Sequence, residues 1–214
     1  MSSKRTKGTA LVTGGAGFIG ANVAAGLVRA GWRVIVADDF SEGDWRNLQT
    51  LDVEVWPLRA DDPELLRAVR EGLFDAVFHQ AAITDTTVLD AQRMLMENAE
   101  AFRRLLEAAI AAEARVVYAS SAGVYGNKPA PNRIGDEKPE NIYGFSKLVM
   151  DRIAQRLAAR ARRPIVGLRY FNVYGPGEEH KFTRQGTKTA SMIRQLYEQA
   201  RRGGPMRLFE WGEQ

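Results

Sequence analysis

Tyr143 and Lys147 stand four residues apart in "YGFSK", and a helix starting there carries both on one face. A phenol with a pKa near ~10 is a poor base at neutral pH. An ammonium beside it favours the phenolate, lowers that pKa and makes a general base for an alcohol proton. Upstream, "YASSAGVYG" sets Ser121 at the end of an apolar run, where its hydroxyl can bond the same substrate oxygen. Tyr-x-x-x-Lys alone is common on helices, so its weight depends on what precedes it.

What precedes it is a phosphate loop. "TGGAGFIG", Thr13 to Gly20, places Gly14, Gly17 and Gly20 between an apolar strand and a helix opened by Phe18 and Ile19. The glycines allow a tight turn and a close backbone approach, and the helix N-terminus offers N–H groups to a pyrophosphate. The next strand ends in "ADDF", with Asp38 eighteen residues after Gly20 and Asp39 beside it. An acid there accepts the ribose hydroxyls of adenosine. The plain alternative is a glycine-rich turn followed by two surface aspartates. A carboxylate at that place repels a 2′-phosphate, which favours NAD over NADP unless Arg46 or Arg33 swings in to offset it. Asp62 either caps the helix after it or bonds the adenine amino group, and the sequence weighs the two equally.

A third cluster is "NVYGPGEEHK", Asn172 to Lys181. A Gly-Pro-Gly turn follows an apolar strand, and two acids, His180 and Lys181 arrive together. Lys181 is either a solvated lysine on a loop or a pocket residue that moves a proton.

These residues need a scaffold. The chain has 214 residues, 45% hydrophobic and 26% charged, enough for one sizeable core and a small second lobe. It has no cysteine, hence no thiolate metal site or cysteine nucleophile, and its two histidines, His79 and His180, are too few for a histidine metal cluster. The net charge of +4 is scattered over helices, and the densest run, "ARARR", ends one, where cations suit the helix dipole; no nucleic-acid partner is expected. No apolar run reaches membrane-spanning length of ~18 residues. The start, "MSSKRTKG", is polar with no apolar segment behind it, so residues 1–8 read as a frayed tail and the cytoplasm as the location.

Apolar runs alternate with helical patterns along the whole chain. "TALVTG", "RVIVAD", "VEVWPL", "DAVFHQAA", "RVVYASS" and "PIVGLRYFNVYG" read as strands, with helices between them, among these one over about Leu89 to Ala112 and one over about Tyr143 to Arg162. Solid apolar strands in β-α-β order predict an α/β fold with a parallel sheet covered on both faces.

Taken together, "TGGAGFIG", "FHQAA", "YASSAGVYG", "YGFSK" and "RYFNVYGPG" resemble the extended short-chain dehydrogenase/reductase family of nucleotide-sugar enzymes, from about Thr9 onward. The resemblance implies a Rossmann-type doubly wound sheet over 9–170, with 171–214 the start of an incomplete substrate lobe. It implies one tightly held NAD or NADP per chain, Tyr143 as acid/base, Lys147 as its activator and ribose ligand, and Ser121 as the third member. It carries Ala81 and Ala82 to the loop beside the cofactor, Asn98 to an asparagine on the central helix, and Asn172 and Ser191 to the substrate side. It also implies a homo-oligomer.

Within the family, the dehydratases carry an acid pair after the strand-end threonine. Here "SAG" stands there, so dehydration is not expected. "RYFNVYGPGEEHK" and "ASMIRQLYEQA" resemble the branch that inverts C6 of an ADP-linked heptose; its reaction passes through a 6-keto sugar with the dinucleotide recycled in place. Tyr143 would serve one face of that ketone and Lys181 the other, with His180 shaping the loop. "FTRQGTKT", Phe182 to Thr189, departs from that branch's shorter turn and brings Lys188 into contention as the second base. The segment matching the family's remaining substrate lobe does not follow Gln214, so the chain reads as a fragment that holds its cofactor and turns over weakly or not at all. The alternatives are a UDP-hexose 4-epimerase or another enzyme of the family, and a dinucleotide-binding protein without catalysis.

Overall fold

The structure, a computed structural model, describes residues 6–178, 191–203 and 205. The chain forms two compact units, one running to Phe171 and one from Asn172. The first contains β1 (Thr9–Thr13), α1 (Phe18–Arg29), β2 (Arg33–Ala37), β3 (Glu54–Trp56), α2 (Pro63–Arg70) and β4 (Ala76–His79). It continues with α3 (Ala91–Met94), a π-helical turn over Leu95–Glu100, α4 (Ala101–Ala111), β5 (Arg115–Ser121), α5 (Ile142–Ala158) and β6 (Ile165–Tyr170).

The six strands pair in parallel in the order β3-β2-β1-β4-β5-β6. The chain starts at the centre, winds out to β3, crosses back to β4 and winds out to β6. The connections after β1 and β4 therefore diverge, and a crevice opens at the carboxyl edge of these two strands. Side chains alternate across each strand, and both sets are apolar. Leu11, Ile35 and Ala37 join Phe74, Phe102, Leu105 and Leu106 in one core, while Val12, Val34 and Val36 join Ala16, Ala21 and Ala24 in another. Helices cover both faces, and that explains the unbroken apolar runs.

Local chemistry sets the helix ends. Asp62 caps α2, its Oδ1 accepting from Glu64 N at 2.8 Å, with Pro63 in the first turn. Asn141 caps α5 by accepting from Gly144 N at 2.8 Å. Observed elements are shorter than the apolar runs: β4 stops at His79 and β6 at Tyr170. The single helix expected over Leu89–Ala112 is interrupted by the wide turn at Leu95–Glu100, whose buried residues are Ala99 and the polar Asn98. Of the tail expected over 1–8, Lys7 and Gly8 are engaged, Lys7 N donating to Gly31 O and Gly8 O accepting from Arg33 N.

In the second unit, Ser191 caps α6 (Met192–Arg201), and the buried Glu178 accepts from Ser191 N at 2.5 Å and from Ser191 Oγ at 3.0 Å. The strand-like run "MRLFEW" lies outside the described residues.

Candidate active site

The loop between β1 and α1 is built by contact. Gly14 has φ +65°, and a Cβ there would stand 2.6 Å from the Ala81 backbone nitrogen, so the turn and the chain leaving β4 touch backbone to backbone. A Cβ on Gly20 would overlap the Gly14 carbonyl oxygen. Gly17 caps α1 with no side chain, and a Cβ there would meet only Gly14 O, at 3.2 Å. The helix N-terminus is thus open on the crevice side, as a pyrophosphate requires. Phe18 is buried under it, and Ile19 is half-buried.

Asp38 organises this loop. Its Oδ2 accepts from Ala16 N at 2.9 Å and its Oδ1 from Phe40 N at 2.8 Å. It is 7% exposed. The segment after it folds over the same place: Asn47 Nδ2 donates to Ala16 O at 2.8 Å and Asp44 N to the same oxygen at 3.0 Å. Asp39 accepts from Ser41 N and Oγ and faces outward.

One cofactor expectation is corrected, that for Arg33. Of the two roles weighed for Asp62, the cap of α2 is seen, through Oδ1. Arg33 sits at the start of β2, the opposite end from the loop, and pairs with Glu54 at 2.8 Å, so it cannot reach a 2′-phosphate. Asn98 is fully buried: its Oδ1 accepts from Ile83 N at 2.8 Å and its Nδ2 donates to Ile83 O at 3.1 Å and to Ser146 Oγ at 3.0 Å. It holds the chain after Ala81 and Ala82 in place. Arg46 is paired with Asp44 through two contacts, at 3.0 and 2.8 Å.

The proton-transfer set lies at the carboxyl edge of β5. Ser121 ends that strand, its Oγ accepting from Gly123 N at 3.0 Å. Gly144 lets α5 close on this turn, since a Cβ there would overlap the Gly123 carbonyl oxygen. Tyr143 is thereby brought to Ser121. Ser146 Oγ donates to Tyr143 O at 2.7 Å and links the helix start to Asn98. Lys147 is 2% exposed and donates to Ala119 O at 2.9 Å, with Nζ 5.8 Å from the Tyr143 ring centre.

The electrostatics differ from the sequence expectation. Burial raises the Tyr143 pKa, and its hydrogen bond with Ser121 only partly opposes this. Lys147 is turned to the Ala119 carbonyl and does not lower the phenol below its ordinary value. Its own pKa is lowered to about 8 by desolvation, with the nearby Asp151 raising it. His79, fully buried beneath the set, is lowered to about 3 by desolvation and by Lys147; its Nδ1 lies 2.8 Å from Thr13 Oγ1. A neutral histidine at the end of β4 therefore bonds across to the end of β1 beside the crevice.

Sequence reasoning missed the ion cluster behind Lys147. Asp151 Oδ1 accepts from Tyr118 OH at 2.9 Å, and its Oδ2 accepts from Arg169 Nε at 3.1 Å and Nη2 at 2.9 Å. Arg169 also donates to Glu137 Oε1 at 2.6 Å and to Tyr125 OH at 2.7 Å. The available signal was an arginine inside an apolar strand and an aspartate one helical turn after Lys147. Asn172 is exposed at the start of the second unit, and Ser191 is the α6 cap. His180, Lys181 and Lys188 lie outside the described residues.

The profile of the NAD dependent epimerase/dehydratase family matches residues 10–214. The ADP-L-glycero-D-manno-heptose-6-epimerase of Pseudomonas aeruginosa is 39% identical over 202 residues, 93% of this chain and 60% of that protein. The crystal structure of the Helicobacter pylori ADP-L-glycero-D-manno-heptose-6-epimerase superposes with a TM-score of 0.87 at 43% identity, covering 100% of this chain and 68% of that one. The Thermus thermophilus UDP-glucose 4-epimerase complex with NAD superposes with a TM-score of 0.76 at 30% identity, covering 94% of this chain and 65% of that one. The chain spans about 60% of the length of the curated relatives it matches.

Proposed function

Because the chain belongs to the NAD dependent epimerase/dehydratase family, we propose that it carries the dinucleotide site and proton-transfer set of an ADP-glycero-manno-heptose 6-epimerase, an isomerase that interconverts the D-glycero and L-glycero sugars. The observation that carries this reading is the meeting of Ser121, Tyr143 and the buried Lys147 at the carboxyl edge of β5, with the open glycine loop in the same sheet edge. The likeness to two ADP-heptose 6-epimerases supports the choice of sugar.

The residues fit a bound NAD or NADP. The Gly14–Gly20 loop and the α1 N-terminus would take the pyrophosphate, Asp38 the adenosine ribose, and Lys147 the nicotinamide ribose. A bound dinucleotide would supply reversible hydride transfer at C6, with no net redox change. Asp38 favours NAD, because its carboxylate repels a 2′-phosphate and Arg46 is already held by Asp44.

The protein's own part is the proton. Tyr143 accepts the proton of the C6 hydroxyl as the ketone forms, and Ser121 bonds the same oxygen. Burial works against the Tyr143 phenolate, so the ammonium of Lys147 is needed to offset its charge. A ketone reduced on its second face presents its oxygen elsewhere, and Lys181 is the proposed donor there. A homo-oligomer in the cytoplasm is part of the same reading.

Proton NMR of ADP-D-glycero-D-manno-heptose incubated with the chain in excess and NAD tests it. Formation of the C6 epimer is expected, with no change in UDP-glucose or UDP-galactose. Conversion of the UDP-hexoses alone would replace this reading with a 4-epimerase, and dinucleotide binding without conversion of any sugar would leave a binding protein.

A further inference from the structure

The cluster behind Lys147 has no part in the chemistry described so far, yet its side chains are densely hydrogen-bonded. Asp151 lies one turn after Lys147 on α5, where side chains four residues apart are neighbours. Both are nearly sealed from water, at 6% and 2% exposed, so little solvent screens their interaction. The carboxylate is fixed from three sides: Tyr118 on β5 donates to one oxygen, and Arg169 on β6 donates twice to the other. Arg169 is fixed in turn by Glu137 and by Tyr125, whose ring centre lies 4.8 Å from the guanidinium carbon.

An isolated ammonium buried this deeply would shed its proton. The charged and titratable groups around it are Tyr143 and Asp151 on α5, His79 on β4, Tyr118 on β5 and Arg169 on β6. His79 is uncharged and Tyr118 a neutral phenol, so Asp151 is the negative charge among them, and Arg169 takes part of its field. We propose that Asp151 is a positioning residue for Lys147: clamped by Tyr118 and Arg169, its carboxylate keeps the buried ammonium charged at neutral pH, while Arg169 limits how strongly it does so. The inference rests on the reading of Lys147 as the group that offsets the Tyr143 phenolate. The rise that Asp151 imposes on the Lys147 pKa is in keeping with it.

The arrangement predicts shifts of opposite sign. The probe is the titration of the Lys147 ammonium in the full chain labelled with [13C,15N]-lysine, its signal assigned by loss in Lys147→Met. Asp151→Asn is expected to lower the Lys147 midpoint by about one unit or more, the usual size of a nearby opposite charge. Arg169→Gln is expected to raise it. A role in packing alone would move neither midpoint, or both in the same direction, and either result overturns the proposal. Should one of these chains fail to fold by circular dichroism, Tyr118→Phe keeps the ring and removes only a donor to Asp151. It is expected to raise the midpoint, and an unchanged or lowered value overturns the proposal. The titration uses no sugar and no dinucleotide, so its failure is distinct from failure of the epimerase reading, which the conversion assay decides.

Discussion

Gly144 packs directly on Gly123, so that a methyl group at 144 would overlap the Gly123 carbonyl oxygen. This contact sets the spacing between the Ser121 turn and the first turn of α5, and so the place of Tyr143. Gly144→Ala must push the two apart by a few tenths of an ångström or more. A small misplacement of reacting groups can cost on the order of 10²-fold in rate. The expected outcome is a fall of that size in kcat with dinucleotide affinity nearly unchanged, checked by steady-state kinetics beside a fluorescence titration with NADH.

Asn98→Ala has the reverse profile. It leaves the Ile83 backbone and Ser146 short of a buried partner. Each such group costs about 1–3 kcal/mol, and a total loss of about 3 kcal/mol is expected in urea unfolding. The chain after β4 abuts the glycine loop through Ala81 and Gly14, so the same substitution should weaken dinucleotide binding.

His79 gives a pH dependence with a definite sign. Its folded pKa is depressed to about 3 by burial, against an ordinary value near ~6.5. The unfolded chain binds the proton first, so the contribution is complete above about pH 6.5 and is lost as pH falls toward about 3. Between pH 7 and pH 5 it accounts for about 2 kcal/mol of lost stability. His79→Phe should flatten the urea-midpoint curve over that interval. An equally steep curve in the variant would assign the acid sensitivity to other groups.

The parallel sheet was legible because both faces are covered, which leaves strands such as "ALV" and "VIVA" apolar at every position. The glycine loop, Tyr143, Lys147 and Ser121 were legible because each is tied to a local strand or helix end. Asp38 was read for its reach toward a ribose, but its carboxylate first holds Ala16 and Phe40 in place, a demand that exists only once the loop has folded. Asp62 was weighed as a helix cap or an adenine ligand, and the cap is seen; Asn98 was placed by resemblance on the central helix, and lies sealed in the core. The Tyr118–Asp151–Arg169 cluster joins two strands and a helix distant in sequence, and no local pattern announces such a meeting. The expected fall in the Tyr143 pKa counted the neighbouring ammonium and not burial, which raises it.

The second base is decided by substitution. On the proposed reading, Tyr143 serves one face of the ketone, and Lys181 or Lys188 the other. Lys181→Ala is expected to lose the conversion by about 10²- to 10⁴-fold, the usual worth of a general acid or base, with Lys188→Ala near wild type. The reverse pattern would assign the role to Lys188.

The most direct measurement is a single-turnover conversion followed by proton NMR, with the chain and NAD in excess over ADP-D-glycero-D-manno-heptose, run side by side for the natural chain and Tyr143→Phe. The account predicts the L-glycero epimer with the natural chain and at least about 10²-fold slower conversion with the variant, at equal dinucleotide occupancy. Equal rates of conversion in the two chains at equal dinucleotide occupancy would contradict it.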